Sequence, residues 1–289
     1  MENIKYSILV PLYNKKEYLI KYFSKIVKQS FDNYEIVVVD DASTDGSYEY
    51  LKDSYKNINL IRNSENHGLG YTRNVLIHNA KGKYLIFVDP DDYIETDLLS
   101  EIDKEIEDVD ILRFQNVIEP MTPNRIEQEM GKDKYRYGCN PVENITGEEA
   151  LLKWCLGERI INTFPWTYVI KKDLYNGVYY PELNNLEDFA ITPYLIAKAK
   201  KIKAITYVGY HYLLYDNSLS SNDNNLSSKV KKLQTLYDVV QLAIINISST
   251  NISNESKKIY IDDVINRYNI RKAKLDNLLE NNKVKKWYM

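Results

Sequence analysis

A chain of 289 residues suits one sizeable domain, or one domain with an appendage. With 44% hydrophobic and 27% charged residues it reads as an ordinary globular protein, and a formal net charge of -3 gives no reason to expect nucleic acid as a partner. Its two cysteines, Cys139 and Cys155, have neither metal-site spacing nor the number a disulfide framework needs, which fits a reduced setting. Residues 6–10 (YSILV) form a short apolar run that stops at Pro11, the pattern of a buried strand. Over 14–29 Tyr18, Leu19, Tyr22, Phe23, Ile26 and Val27 share one helical face. Residues 35–41 (EIVVVDD) form a second buried strand ending in two acids, and Ser43, Thr44 and Asp45 supply capping chemistry for a helix reaching about Tyr55. A strand over 58–62, a helix over 68–80, a fourth strand over 83–89 that again ends in acids, a helix over 96–107 and a strand over 109–115 are expected to follow. Residues 119–147 are polar and read as an excursion, and mixed structure resumes over 148–220. From about 227 to 280 the pattern is helical, with Leu233, Leu236, Tyr237, Val240 and Leu242 on one stripe and a loop near 248–256 dividing two helices.

Helices alternating with continuous apolar strands predict an α/β fold with a mostly parallel sheet covered on both faces, plus a C-terminal helical appendage. Ligands of such sheets sit at the carboxyl ends of the strands, and the acids of this chain gather there. Tyr13 follows the first strand, where its ring either stacks on a base or is an exposed loop aromatic. A carboxylate at Asp40 or Asp41 can accept from the ring N–H of a uracil, while helix capping accounts in part for Ser43 and Asp45. The stretch NHGLGYTRN (66–74) sets glycines before a helix carrying Arg73, which can bring backbone N–H groups near a phosphate. It is not GxGxxG after the first strand, and the chain has no GxxxxGK[ST], so dinucleotide and P-loop readings are disfavoured. Asp89, Asp91 and Asp92 repel one another unless a cation compensates, and a hard divalent ion takes one or two carboxylates together with substrate phosphates. The bland alternative is a solvated acidic turn. Glu187 and Asp188, between Leu186 and Phe189, offer either a general base or the first turn of a helix.

In this order, PLYN at 11–14, VVDDASTDGS at 38–47, NHGLGYTRN at 66–74, DPDD at 89–92 and the pair Glu187-Asp188 resemble the inverting, GT-A-type glycosyltransferases of family 2, which build bacterial polysaccharides such as capsule. WTYVIKKDLY at 166–175 resembles the segment before the catalytic acid in capsule-type members. The resemblance implies a Rossmann-like GT-A nucleotide-sugar-binding and catalytic domain over 1–220, followed by a helical region over 221–289. It implies a nucleotide-sugar donor of the UDP kind, a hexosyl or N-acetylhexosaminyl group transferred to a saccharide or lipid-linked acceptor, and Mn²⁺ or Mg²⁺ as cofactor. Tyr13 and Asp41, with Pro11 and Gly68 nearby, would hold the uracil end, and Asp89 the ribose. Arg73 would lie near the donor, Asp91 would ligate the metal and Asp188 would be the base. Relatives of this type often carry basic residues near 210–220, where this chain has Leu213 and Tyr215. His211 reads either as a core histidine or as a third metal ligand.

A non-catalytic sugar-nucleotide-binding or scaffold subunit of a polysaccharide assembly is the alternative, and the presence of both Asp91 and Asp188 argues against it. A nucleotidyltransferase lacks here its glycine- and lysine-rich triphosphate loop. From Lys229 onward the chain has 12 Lys and Arg against 6 Asp and Glu, so a basic tail follows an acidic body. The ending Lys283-Val284-Lys285-Lys286-Trp287-Tyr288-Met289 reads as a peripheral membrane contact, or as part of a helical appendage that packs on the catalytic domain or pairs two subunits in a homo-oligomer. No secretory signal and no membrane-length apolar run is visible, so a cytoplasmic location is expected, at most at the inner face of the membrane.

Overall fold

The computed structural model describes residues 4–135, 137–183, 186–216 and 226–287, with side chains as far as residue 280. Its first strand, β1 (Tyr6–Leu12), is buried throughout. Alternation divides it between two cores. Ile8, Val10 and Leu12 meet Leu19, Phe23 and Ile26 of α1 (Lys16–Val27), while Leu9 faces the opposite layer. β2 (Tyr34–Asp40) repeats the division, with Val38 in the first core and Val37 and Val39 in the second. α2 (Ser47–Ser54), the edge strand β3 (Asn59–Arg62), α3 (Leu69–Asn79) and β4 (Tyr84–Phe87) complete a parallel half-sheet in the order β3-β2-β1-β4. The helix expected from residue 14 begins at Lys16, because Asn14 adopts a left-handed φ of 51° and is committed to the neighbouring turn.

Beyond β4 come β5 (Tyr93–Ile94), α4 (Leu98–Asp103), β6 (Ile111–Pro120), α5 (Pro123–Glu129), β7 (Val142–Ile145), α6 (Gly147–Cys155), β8 (Tyr168–Lys171), α7 (Glu187–Lys198) and β9 (Ile202–Leu214). β8 enters antiparallel between β4 and β6, β9 lies parallel to β6, and β5 and β7 pair antiparallel with β9. The central sheet, mostly parallel and flanked by helices, is the expected α/β architecture, and its antiparallel additions lie on the C-terminal side of the parallel core.

The chain ends in α8 (Leu226–Ser248) and α9 (Asn254–Trp287), separated near the predicted break. The buried face of α8 is Leu236, Val239, Val240, Ala243 and Ile247, at helical spacing. Tyr237, expected on that stripe, is instead exposed and turns toward Tyr268 of α9, with ring centroids 5.7 Å apart. The α8 face joins Tyr260 and Val264 of α9 in the same core as Leu9 and Val37 of the sheet. Polar contacts fix the docking. Glu148 of α6 accepts from Ser253 Oγ at 2.6 Å and Ser256 Oγ at 2.5 Å, and Asn246 donates to the Ala190 carbonyl at 3.1 Å. The helical appendage therefore packs on α6 and α7. The expected division at 220/221 and the side chains of 283–289 lie outside the described residues. Among those described, no helix is long and apolar enough to cross a membrane.

Candidate active site

Two turns at the carboxyl ends of β1 and β2 lock together. The Asn14 amide donates to Ser43 Oγ at 2.9 Å, and Asn14 Oδ1 accepts from the Thr44 amide at 2.8 Å. Asp45 accepts from Lys16 N and Ser47 N, both at 2.9 Å, which confirms a backbone-satisfying role for that acid. Asp41 is buried, and its carboxylate receives Asn63 Nδ2 at 2.7 Å, His67 N at 3.1 Å and Gly68 N at 2.8 Å. The glycine-rich helix start thus spends the Gly68 N–H on Asp41. Gly68 itself sits at φ 90°, a conformation an L side chain resists. Asp40 points away from the cleft, with Ser43 N at 3.2 Å and Arg62 Nε at 3.3 Å.

The turn after β4 separates its three acids. Asp92 is fully buried and accepts from Tyr210 Oη at 2.7 Å and Leu213 N at 2.8 Å. It anchors the turn to β9, and Leu213 serves there through its backbone. Asp89 and Asp91 face the cleft. Burial raises the Asp89 carboxyl to about 6, Arg73 opposing and Asp91 and Glu187 reinforcing the shift. Asp91 holds Lys15 Nζ at 2.6 Å, each side chain about a quarter exposed. Lys15 carried no signal in the sequence beyond its neighbourhood.

The acid pair at the start of α7 also divides. Glu187 is buried against Arg73 in an ion pair, and Phe87 and Tyr180 lie 5.6 and 5.4 Å from the guanidinium. Asp188 lines the cleft. Its carboxyl is held above the usual carboxylate range, first by burial and then by the charge of Glu187, with Arg73 opposing. α3 reaches this wall closely. A Cβ on Gly70 would stand 1.9 Å from the Pro181 carbonyl, and Asn74 exchanges hydrogen bonds of 2.9 and 2.8 Å with the backbone of Tyr180.

Pro11, Tyr13, Asp41, Gly68, Arg73, Asp89, Asp91 and Asp188 all line one cavity of about 1250 Å³. His211 does not. Its Nε2 meets Glu95 at 2.7 Å, its Nδ1 meets Glu119, and its ring stacks on Tyr93, so both nitrogens are committed outside the cleft and the metal-ligand reading is withdrawn. Among the described residues no three His, Cys, Asp or Glu side chains converge to cage a metal. A divalent ion that completes its shell with substrate phosphates needs no such cage, and Asp91, open to the cleft and already gathering a cation, fits it. An aromatic wall also borders the cleft through Phe164, Trp166 and Tyr212. Trp166 stacks on Phe164, Tyr210 and Tyr212 at centroid distances of 5.2, 4.6 and 5.3 Å.

Residues 7–146 match the family model described as glycosyl transferase family 2. Over this segment the chain belongs to that family. It is 27% identical over 277 residues to the poly(ribitol-phosphate) beta-N-acetylglucosaminyltransferase TarS of Staphylococcus aureus, covering 92% of this chain and 44% of TarS. It is 30% identical over 220 residues to a poly(ribitol-phosphate) beta-glucosyltransferase of Bacillus spizizenii, covering 73% of this chain and 32% of that protein. The chain thus spans less than half the length of these curated relatives. Among solved structures, residues 1–349 of S. aureus TarS in complex with UDP-GlcNAc match with a TM-score of 0.72 at 25% identity, over 91% of this chain and 72% of that one. The GT-A architecture read from the motif order is therefore this family 2 fold, and the family match takes in four of the five motifs, stopping before the acid pair of α7.

Proposed function

We propose that this chain transfers a sugar from a UDP-sugar, with N-acetylglucosamine the first candidate, to a hydroxyl of a saccharide, polyol or lipid-linked acceptor, with inversion at the anomeric carbon. The observation that carries the reading is the joint presence of Asp41, Asp89, Asp91 and Asp188 in one cleft at the strand ends, in a chain similar to a structure holding UDP-GlcNAc. Asp41 has lone pairs left for a uracil N–H after its three backbone and amide contacts. Asp188 takes the proton of the acceptor hydroxyl, and its raised pKa suits that task near neutral pH. The hydroxyl oxygen bonds to the anomeric carbon as the bond to the UDP oxygen breaks, and a single displacement inverts the centre. The Arg73–Glu187 pair fixes the first turn of α7 and so the direction of Asp188. Asp91, with Asp89 beside it, would hold Mn²⁺ or Mg²⁺. Such an ion supplies positive charge against the departing diphosphate.

Supporting the enzyme over a binding subunit is the division of the acid pair, which leaves Asp188 free of an ion-pair partner among the described residues while Glu187 is consumed by Arg73. The test is release of UDP from UDP-GlcNAc and from UDP-glucose, with Mn²⁺, in the presence and absence of a ribitol-phosphate or saccharide acceptor. Acceptor-dependent release is the expected result. UDP binding with no release from either donor, whatever the acceptor, would support the non-catalytic subunit instead.

A further inference from the structure

The cleft has two walls of opposite charge. The strand-end wall carries Asp41, Asp89, Asp91 and Asp188, and its cations are already neutralised, Lys15 by Asp91 and Arg73 by Glu187. The other wall is made by the C-terminal helices. Lys229 and Lys232 of α8 and Arg271 and Lys274 of α9 line the same cavity, each pair at i, i+3 spacing and so on one helical face. Among the described residues none of these four has an ion-pair partner, although neighbouring Arg267 and Lys272 on α9 pair with Asp263 and Asp276. Four like charges turned into one concavity repel one another and focus a positive potential that an anion relieves. The cavity, at about 1250 Å³, exceeds the roughly 300–1,000 Å³ of a single-ligand pocket, which leaves room for a second molecule beside a nucleotide-sugar. The four charges share their cavity with the donor-side acids, and two charged pairs on separate helices suit an anion repeated along a chain.

We propose that Lys229, Lys232, Arg271 and Lys274 form an acceptor subsite for a phosphodiester-linked polyol or saccharide chain, gripping the phosphates that flank the hydroxyl offered to Asp188. The proposal rests on the transferase reading for the position of that hydroxyl, but the binding it requires is measurable without turnover. On this account the C-terminal helices select the substrate, and the basic face formed by these four residues lines the protein's own cleft.

The test compares the full chain with K229Q/K232Q/R271Q/K274Q. The probe is a soluble ribitol-phosphate oligomer, followed by calorimetry at low and high salt, with UDP affinity measured on the same samples. Expected is a loss of oligomer affinity on the order of tenfold to several hundredfold, the sum of four exposed charge contacts, with UDP affinity unchanged. Wild-type affinity should fall steeply with salt and the variant's weakly. In turnover with the oligomer, KM should rise with kcat near normal. If the quadruple variant loses UDP binding as well, K232Q/K274Q, which alters two exposed side chains, replaces it and should show a smaller loss of the same kind. Equal oligomer affinity in wild type and a UDP-competent variant overturns the subsite. So does equal competition by inorganic phosphate at matched phosphate concentration, which would mark an isolated anion site. Charge-dependent flotation with phosphatidylglycerol vesicles, without oligomer binding, would assign the face to lipid and likewise overturn it. Oligomer binding lost in the variant, with no UDP binding in either protein, would leave the subsite standing and remove the transferase reading.

Discussion

At the scale of single residues, the acids that look alike in sequence differ in their surroundings. Asp188 and Glu187 are adjacent, yet one lines the cleft and the other is consumed by Arg73. Asp188→Asn is expected to keep UDP binding and lower turnover by roughly a hundredfold or more, the scale of a general base. Near-normal turnover would reassign the base. The pH dependence follows from the direction of the shift. A base must be ionised, and this carboxyl ionises above the usual range, so kcat/KM should fall as pH drops through a value higher than that of an ordinary aspartate. Glu187→Gln removes a charge that raises Asp188 and leaves Arg73, which lowers it, so the acid limb should move to lower pH. The same substitution strands a buried guanidinium and should cost about 3–5 kcal/mol of stability, read by denaturant melts. Asp91→Ala should abolish the Mn²⁺ dependence of UDP affinity and free Lys15. An unchanged metal response would move the cation site elsewhere.

Among the elements, α3 meets the segment that precedes α7 through a contact that only glycine allows. A Cβ at residue 70 would collide with the Pro181 carbonyl, and backbone gives way less easily than a side chain. Gly70→Ala is therefore expected to cost on the order of 1–3 kcal/mol, seen as a lowered melting temperature. Because Asn74 holds Tyr180 on the same segment, the substitution should also lower kcat by displacing the approach to Asp188. A variant as stable and as active as wild type would show that this segment adjusts freely. β9 has a comparable role on the other side of the cleft. Tyr210 and Leu213 hold the turn of Asp89–Asp92 through Asp92, so the acid that the motif counts among metal candidates serves as an anchor.

For the molecule as a whole, the C-terminal helices complete the main core. Leu236, Val239, Val240, Ala243 and Ile247 are buried with the sheet residues. At about 1.5–3 kcal/mol for each large apolar side chain, their removal forfeits an amount comparable with the whole stability of a typical domain, roughly 5–15 kcal/mol. A chain ending at residue 220, the expected domain boundary, is expected to lack a cooperative thermal transition. A well-folded truncated protein with native UDP affinity would overturn that expectation and restore two independent units.

The features legible in the sequence were those with a local signature. Continuous apolar runs mark β1, β2 and β4 because a strand covered on both faces needs few polar side chains, and the motif acids close or follow the runs of β2 and β4. The order of the motifs was sufficient for the family, and capping chemistry sufficed for Asp45. What only the tertiary structure decided were pairings between distant positions. Arg73 and Glu187 are 114 residues apart and Lys15 and Asp91 are 76 apart, and no periodicity encodes such a choice. His211 had the residue type of a ligand but faces Glu95 and Glu119, because its place on β9 is set by pairing with β5. The basic tail could be read toward a membrane, a partner or the protein itself. For its described part, residues 226–280, the packing was decided by which face of α8 was apolar and which surface on α6 and α7 was left to cover it, a complementarity that exists only once the sheet has formed.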